Sequence, residues 1–328
     1  MDVTLPAIRK LAVFRALQLG DLLCAVPAFR ALRAAFPEAE ITLIGLPWAR
    51  ELVSRFEGYL DAFLEFPGYP GLPEQAPDAE RIHAFFVSAR RAGFDLALQV
   101  HGSGRVTNTV VGRLGARVTG GFFPADGRCP DERMFLAYPE EEHEIRRLLR
   151  LLAHLGIPSV GEELEFPVLE RDRAQLAELA EATALVPGEY VCIHPGGRSA
   201  RRWPPRRFAE VGDALAARGL VPVLTGSADE ADLAAEVAAA MRASSVSLAG
   251  QTTLGALGAL LAGARLLVSG DTGVSHLAAA LRVPSVVVFT SSDPTRWAPL
   301  DGRLHRAADG QAARAVPRVV AQADELLV

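Results

Sequence analysis

At 328 residues, half of them hydrophobic and 22% charged, the chain has the composition of a globular protein with room for two domains. A formal charge of −5 argues against a broad nucleic-acid-binding surface, and with Lys10 the only lysine among 34 basic residues the abundance of arginine reads as codon usage. Cys24, Cys129 and Cys192 lie far apart and form no C-x-x-C, which argues against a disulfide framework and for a reducing compartment.

The opening segment, MDVTLPAIRKLAVFRALQLGD, has a short apolar run interrupted by Arg15 and no small-residue cleavage pattern, so it does not read as a signal peptide. Strands are expected near 10–17, 41–45, 62–66, 96–101 and 117–122, with helices near 22–35, 47–56, 78–92 and 105–114. The Pro/Gly-rich stretch 68–78 is expected to be a mobile loop. Residues 140–155 begin with a crowd of acids and continue with Ile145, Leu148, Leu149 and Leu152 at helical spacing, a strong helix pattern. Segment 156–175 has little periodicity and is the expected linker. The alternation then restarts: strands near 190–194, 220–226, 246–250, 265–270 and 285–289, helices near 206–218, 229–242, 253–263 and 273–281, and a terminal helix within 311–328. The pattern predicts an α/β chain of two Rossmann-like domains, 1–165 and 166–328, with mostly parallel sheets. No run approaches the roughly 20 apolar residues of a membrane span, and a cytoplasmic protein is expected.

Four strand ends bear polar residues suited to chemistry. In LQLGDLLCAVPAF, Gly20 permits a tight turn and Asp21 begins a helix, either as its N-cap or as a general base facing a hydroxyl. In HPGGRSARRWPPRRF, Gly196 and Gly197 follow a strand directly and offer bare backbone to an anion. Arg201 and Arg202 bring guanidinium groups suited to phosphate oxygens, and Trp203 packs the loop down. In LTGSADEADLA, Glu230 falls in a first helical turn, where capping competes with a hydrogen bond to a ribose. In SGDTGVSHLAAAL, a helix starting at Asp271 or Thr272 would aim the amides of Thr272, Gly273 and Val274 outward. Val274, Leu277, Ala278 and Leu281 would form its buried stripe, leaving His276 on another face.

Some chemistries have no support. The chain has no His/Cys cluster at metal-ligand spacing, no Walker motif, no nucleophile elbow and no G-x-G-x-x-G dinucleotide fingerprint. Nor is there a D-x-D pair to hold a divalent cation on a diphosphate, so no metal and no cofactor are expected. Any diphosphate must be neutralised by amides and arginines.

Taken together, LQLGDLLCAVPAFRAL, FDLALQVHGSGR, HPGGRSARRWPPRRFAEV, VLTGSADE and LLVSGDTGVSHLAAALRVPSVVVF, then SSDP, resemble glycosyltransferase family 9, the heptosyltransferases of lipopolysaccharide core assembly. The pieces occur in the family's order over nearly the whole chain. The resemblance implies a GT-B fold, two Rossmann-like domains facing an interdomain cleft. It also implies an ADP-sugar donor on the C-terminal domain and a lipid-linked or oligosaccharide acceptor on the N-terminal one, with peripheral association at the cytoplasmic face of the inner membrane. Inverting, metal-independent transfer is implied, with Asp21 as base. Asp271, Thr272, Gly273 and His276 would border the donor diphosphate and sugar, and Glu230 the ribose or adenine side. Two positions depart from the family pattern: Arg201 stands where a lysine is usual, and Thr290 where glycine is. They keep open a transferase using another nucleotide sugar, and a catalytically idle nucleotide-sugar-binding protein also remains as an alternative.

Overall fold

A computed structural model describes residues 7–197 and 202–328. The chain divides into two compact units, Met1–Glu163 and Leu164–Val328. Each is built on a six-stranded sheet in which every pairing is parallel.

In the first unit the strands are β1 (Lys10–Phe14), β2 (Glu40–Gly45), β3 (Ala62–Glu65), β4 (Leu96–Gln99), β5 (Val118–Phe123) and β6 (Phe135–Ala137), in spatial order 3-2-1-4-5-6. In the second they are β7 (Tyr190–His194), β8 (Val221–Leu224), β9 (Val246–Ser247), β10 (Leu266–Gly270), β11 (Ser285–Phe289) and β12 (His305–Asp309), ordered 12-11-10-7-8-9. Counted within its own unit, the second order is the first one again. Both are Rossmann-like, and in each the strand order reverses between the first and fourth strands.

The central strands are apolar because helices cover both faces of a parallel sheet. Leu11–Phe14 and Tyr190–His194 are buried throughout. In the first unit, Phe14, Phe66, Phe85 and Phe86 stack edge to face with centroids 4.9–5.8 Å apart. In the second, Ile193, Phe208, Val211 and Val268 share a core with Trp203. The indole of Trp203 is 1% exposed, and its Nε1–H donates to the Gly310 carbonyl at 3.1 Å. The loop before it, residues 198–201, lies outside the described residues.

Helix ends follow their local chemistry. Asp78 accepts from the amides of Glu80 and Arg81 at the start of the helix Ala79–Ala92, and Gly93, at φ +68°, closes it in the left-handed region. The helix Glu144–His154 buries its leucine stripe and packs against the helix Val26–Ala35.

Several expectations are corrected. The helix expected over 22–35 is two helices, Leu19–Leu23 and Val26–Ala35, with Pro27 in the first turn of the latter. The expected linker ends early, because Glu170–Ala177 is helical and Asp172 accepts from the Leu169 amide at 2.8 Å. The stretch 68–78 is a loop, as expected, and its backbone passes close to itself: Gly68 has φ +84°, and a methyl built on it would come within 2.6 Å of the Gln75 carbonyl. Strands β6, of three residues, and β12, of five, lie at sheet edges and were not anticipated. Among the described residues no helix is long and apolar enough to cross a membrane.

One edge pairing gives a stability prediction. His305 on β12 lies in register with Ser285 on β11, whose hydroxyl is 2.8 Å from Nδ1. Burial lowers the imidazole from 6.5 to about 4, against the opposing pull of Asp301. Between those values the unfolded chain binds a proton that the folded one refuses, so stability falls as pH drops through this window. The fall amounts to about 3 kcal/mol at most. Thermal unfolding from pH 7 to pH 4 should lose more stability in the parent than in His305→Gln; parallel curves would refute it.

Candidate functional site

A parallel sheet leaves its opening where the strand order reverses, at the carboxyl ends of the two strands concerned. In each unit described residues singled out from the sequence follow the strands that border that opening: Asp21 in the first, Gly196, Gly197, Asp271, Thr272 and Gly273 in the second.

In the Leu164–Val328 unit the opening lies between β7 and β10. Strand β7 ends at His194 and runs through Pro195 into Gly196–Gly197. Strand β10 ends at Gly270, and Asp271 is fixed by its amide donating to the Val288 carbonyl at 3.2 Å. Thr272 is the N-cap of the helix Gly273–Ala280, with its hydroxyl accepting from the Val274 amide at 3.3 Å. The helix therefore starts two residues after Asp271, its earliest expected position. The Val274 amide is turned to the cap, which leaves the opening to the amides of Thr272 and Gly273.

The two loops meet closely. Gly197 has φ +114°, and a methyl built on it would sit 2.7 Å from Thr272 Cγ2. A methyl on Gly196 would overlap the Glu230 carboxylate. The double glycine is thus required by close approach as well as by backbone angle.

Glu230 ties in a third loop, the one after β8. It stands at the third position of the short helix Ala228–Glu230, in a reciprocal capping box with Ser227. Its Oε2 accepts from the Ser227 amide at 2.9 Å, and its Oε1 accepts from the Gly197 amide at 2.6 Å. Capping and site-building are therefore one role here. Burial alone would raise this carboxyl, but the Gly197 and Ser227 amides, with His194 behind them, outweigh it and hold it below the ordinary glutamate value. His194 Nε2 lies 3.9 Å from Oε2, and its Nδ1 is 3.0 Å from the Thr225 hydroxyl. Burial depresses the imidazole despite the neighbouring carboxylate. Arg202 donates from Nε to the Gly197 carbonyl at 2.8 Å. Arg201 lies outside the described residues.

His276 lies off the stripe of its helix and is buried all the same. It is 3% exposed, as buried as Val274 and Leu277 beside it, and meets Trp297 edge to face at 6.2 Å.

In the Met1–Glu163 unit the opening lies between β1 and β4. Asp21 is not the N-cap of its helix. Gln18 is, and Asp21 occupies the third helical position, from which it reaches back to the Gln18 amide. Its side chain keeps 24% of its exposure, so the carboxylate is open to a partner. Burial raises its proton affinity and Glu144 adds to the rise, while Arg15 and His101 oppose it; the net direction is up. His101, which follows β4, accepts from the Ala16 amide through Nδ1 at 3.2 Å and stacks on Phe14. Its Nε2 therefore carries the proton and faces Glu74 Oε1 at 3.5 Å.

Sequence reasoning missed Arg15, His101, Glu74, Glu144 and Arg147. One signal was present: Arg15 breaks the apolar run KLAVFRAL at the end of a strand, where a charge is out of place unless something nearby requires it. Among the described residues no group of three or more His, Cys, Asp or Glu side chains could hold a metal ion.

Comparison with known proteins bears on these openings. Residues 82–317 match glycosyltransferase family 9 (heptosyltransferase). Lipopolysaccharide heptosyltransferase 2 of Escherichia coli K12 is 26% identical over 298 residues, 86% of this chain and 82% of that protein. Lipopolysaccharide heptosyltransferase 3 of Escherichia coli is 34% identical over 162 residues, so the chain spans about half the length of that relative, 47%, with 48% of its own. Among solved structures, a family 9 glycosyltransferase from Veillonella parvula superposes with a TM-score of 0.83 at 19% identity, covering 100% of this chain and 99% of that one. The Escherichia coli ADP-heptose heptosyltransferase II gives 0.74 at 22%, with 98% of each chain covered. These are likenesses of fold, the GT-B type with its paired Rossmann-like units. By the match over residues 82–317, the chain belongs to glycosyltransferase family 9, the heptosyltransferase family.

Proposed function

We propose that this protein transfers heptose or a related sugar from an ADP-sugar to a lipopolysaccharide core or similar glycan acceptor, by a single inverting displacement that uses no metal. The second unit holds the donor and the first the acceptor. A lipid-linked acceptor would be met at the membrane surface, by peripheral association. The observation that carries this reading is the cradle of Gly196, Gly197, Thr272 and Gly273, where bare backbone from two strand ends converges at one opening. Backbone amides and a helix start are suited to a diphosphate.

In this mechanism Asp21 takes the proton from an acceptor hydroxyl as that oxygen attacks the anomeric carbon. The bond from carbon to diphosphate breaks through an oxocarbenium-like state, and negative charge accumulates on the leaving ADP. The Thr272 and Gly273 amides, with Arg201 and Arg202, stabilise that charge. A raised proton affinity suits a base that works near neutrality. Glu230 holds the Gly197 loop in place beneath the donor and faces its ribose side. Asp271 and His276 border the diphosphate and sugar.

Calorimetric titration with ADP, UDP and GDP in EDTA tests the donor assignment. ADP should bind selectively, and Asp271→Ala should weaken it; preference for UDP or GDP, or binding only after Mg²⁺ is added, would overturn it. Gly196→Ala should push Glu230 off its amides and weaken ADP by about tenfold, on the order of 1.4 kcal/mol, and unchanged binding would count against the cradle. Asp21→Asn should lower kcat by about 10²- to 10⁴-fold while leaving ADP affinity intact. Retention of full turnover by that variant would remove Asp21 from the base role.

A further inference from the structure

Behind Asp21 the first unit buries two guanidinium groups, Arg15 and Arg147, with none of either side chain exposed. Arg15 donates from Nε to the main-chain oxygen of Asp21 at 2.7 Å and from one terminal nitrogen to the Val100 carbonyl. Its other terminal nitrogen donates to Glu144 Oε1 at 2.9 Å and stands 3.8 Å from Asp21 Oδ1. The second oxygen of Glu144 accepts from Arg147. Arg147 is in turn held by the Pro139, Glu140 and Glu142 carbonyls and by the Tyr138 hydroxyl, at 2.7–2.9 Å. Charges alternate along Asp21, Arg15, Glu144 and Arg147 and sum to zero.

A buried ion chain is weak support for a fold, since apolar side chains of similar volume commonly do as well. Of the four groups only Asp21 keeps an exposed carboxylate. The distances also rank the partners: Arg15 sits nearer to Glu144 than to the Asp21 carboxylate.

We propose that Arg15 is a positioning residue for Asp21 and that Glu144, braced by Arg147, draws the Arg15 guanidinium away from the Asp21 carboxylate so that this carboxylate stays free to accept a proton. Arg15 grips the Asp21 main chain and so fixes the side chain's direction. Without Glu144 it would close onto the carboxylate as a direct ion pair and silence it. The inference rests on Asp21 being the base. The charged and titratable groups facing Asp21 are Arg15 just after β1, Glu144 from the helix Glu144–His154 and His101 just after β4. Glu74 stands behind His101, and Cys24 lies near Arg15.

The test is the pH dependence of kcat/KM for the full chain, with an ADP-sugar donor and a glycan acceptor. Glu144→Gln should move the acid limb to lower pH by about one unit and lower the plateau, because a carboxylate paired with Arg15 is a weaker base. Arg15→Met combined with Glu144→Gln should move the limb back up past the parent. Arg15→Lys should leave its position nearly unchanged. A purely structural role would lower all three plateaus without shifts of opposite sign, and coincident acid limbs would overturn the proposal. Should Glu144→Gln fail to fold, judged by circular dichroism and ADP binding, the double variant and Arg15→Lys still decide it by their limbs. Asp21→Asn separates the two levels. If it is inactive while the limbs coincide, the base reading stands and the positioning role falls; if it is active, both fall.

Discussion

The constraint on which the rest depends is the parallel sheet. Crossovers between parallel strands are right-handed, so a chain that winds outward from one strand and then begins again on its other side leaves an opening at the carboxyl ends of the two central strands. This chain does so twice. At the opening between β1 and β4 stands the partly exposed Asp21, and at that between β7 and β10 stand a glycine pair and a helix start. Everything with chemical interest in the described residues lies within a few positions of these strand ends or is packed directly beneath them.

The two openings are stabilised by different means. At the opening between β7 and β10 the organising group is Glu230, which pulls two loops together through main-chain amides and is kept ionised by them. A carboxylate accepting backbone N–H groups needs no cation to be stable in a partly buried place. At the Asp21 side the organising group is a cation, Arg15, shared between a main-chain carbonyl on each flank and two carboxylates. Negative charge organises the opening of the second unit and positive charge that of the first, each one layer behind the groups it arranges.

Much of this was legible in the residues. The strands YVCIH and SVVVF read off the sequence to the residue because a central parallel strand is apolar along its length, and the helix at 254–263 begins one position later than expected because Thr253 is its cap. The edge strands β6 and β12 were not legible: FLA is only three residues long, and HRAAD carries no unbroken apolar run. The site divides along the same line. Gly196, Gly197, Thr272 and Glu230 announce themselves through local chemistry, since a glycine pair or a cap is a short-range signal. Glu144 and Arg147 sit more than 120 positions from Arg15 and looked like an ordinary charged helix start. Only tertiary packing turns them inward. The burial of His276 was not legible for a related reason: the stripe of its own helix gave one buried face, while Trp297, from beyond β11, covers a second.

The amide cradle has one more consequence, for how such a protein drifts. A carboxylate can be erased by exchanging a single oxygen for nitrogen, so the Asp21 opening is fragile at one codon. The donors of the Gly197 and Thr272 loops belong to the main chain, and among substitutions only proline deletes a main-chain N–H. That opening is lost chiefly by adding atoms, as the contacts around Gly196 and Gly197 make plain. Inactivating changes in the two halves of this chain should therefore differ in kind: removal of a functional group in the first, and obstruction by bulk in the second.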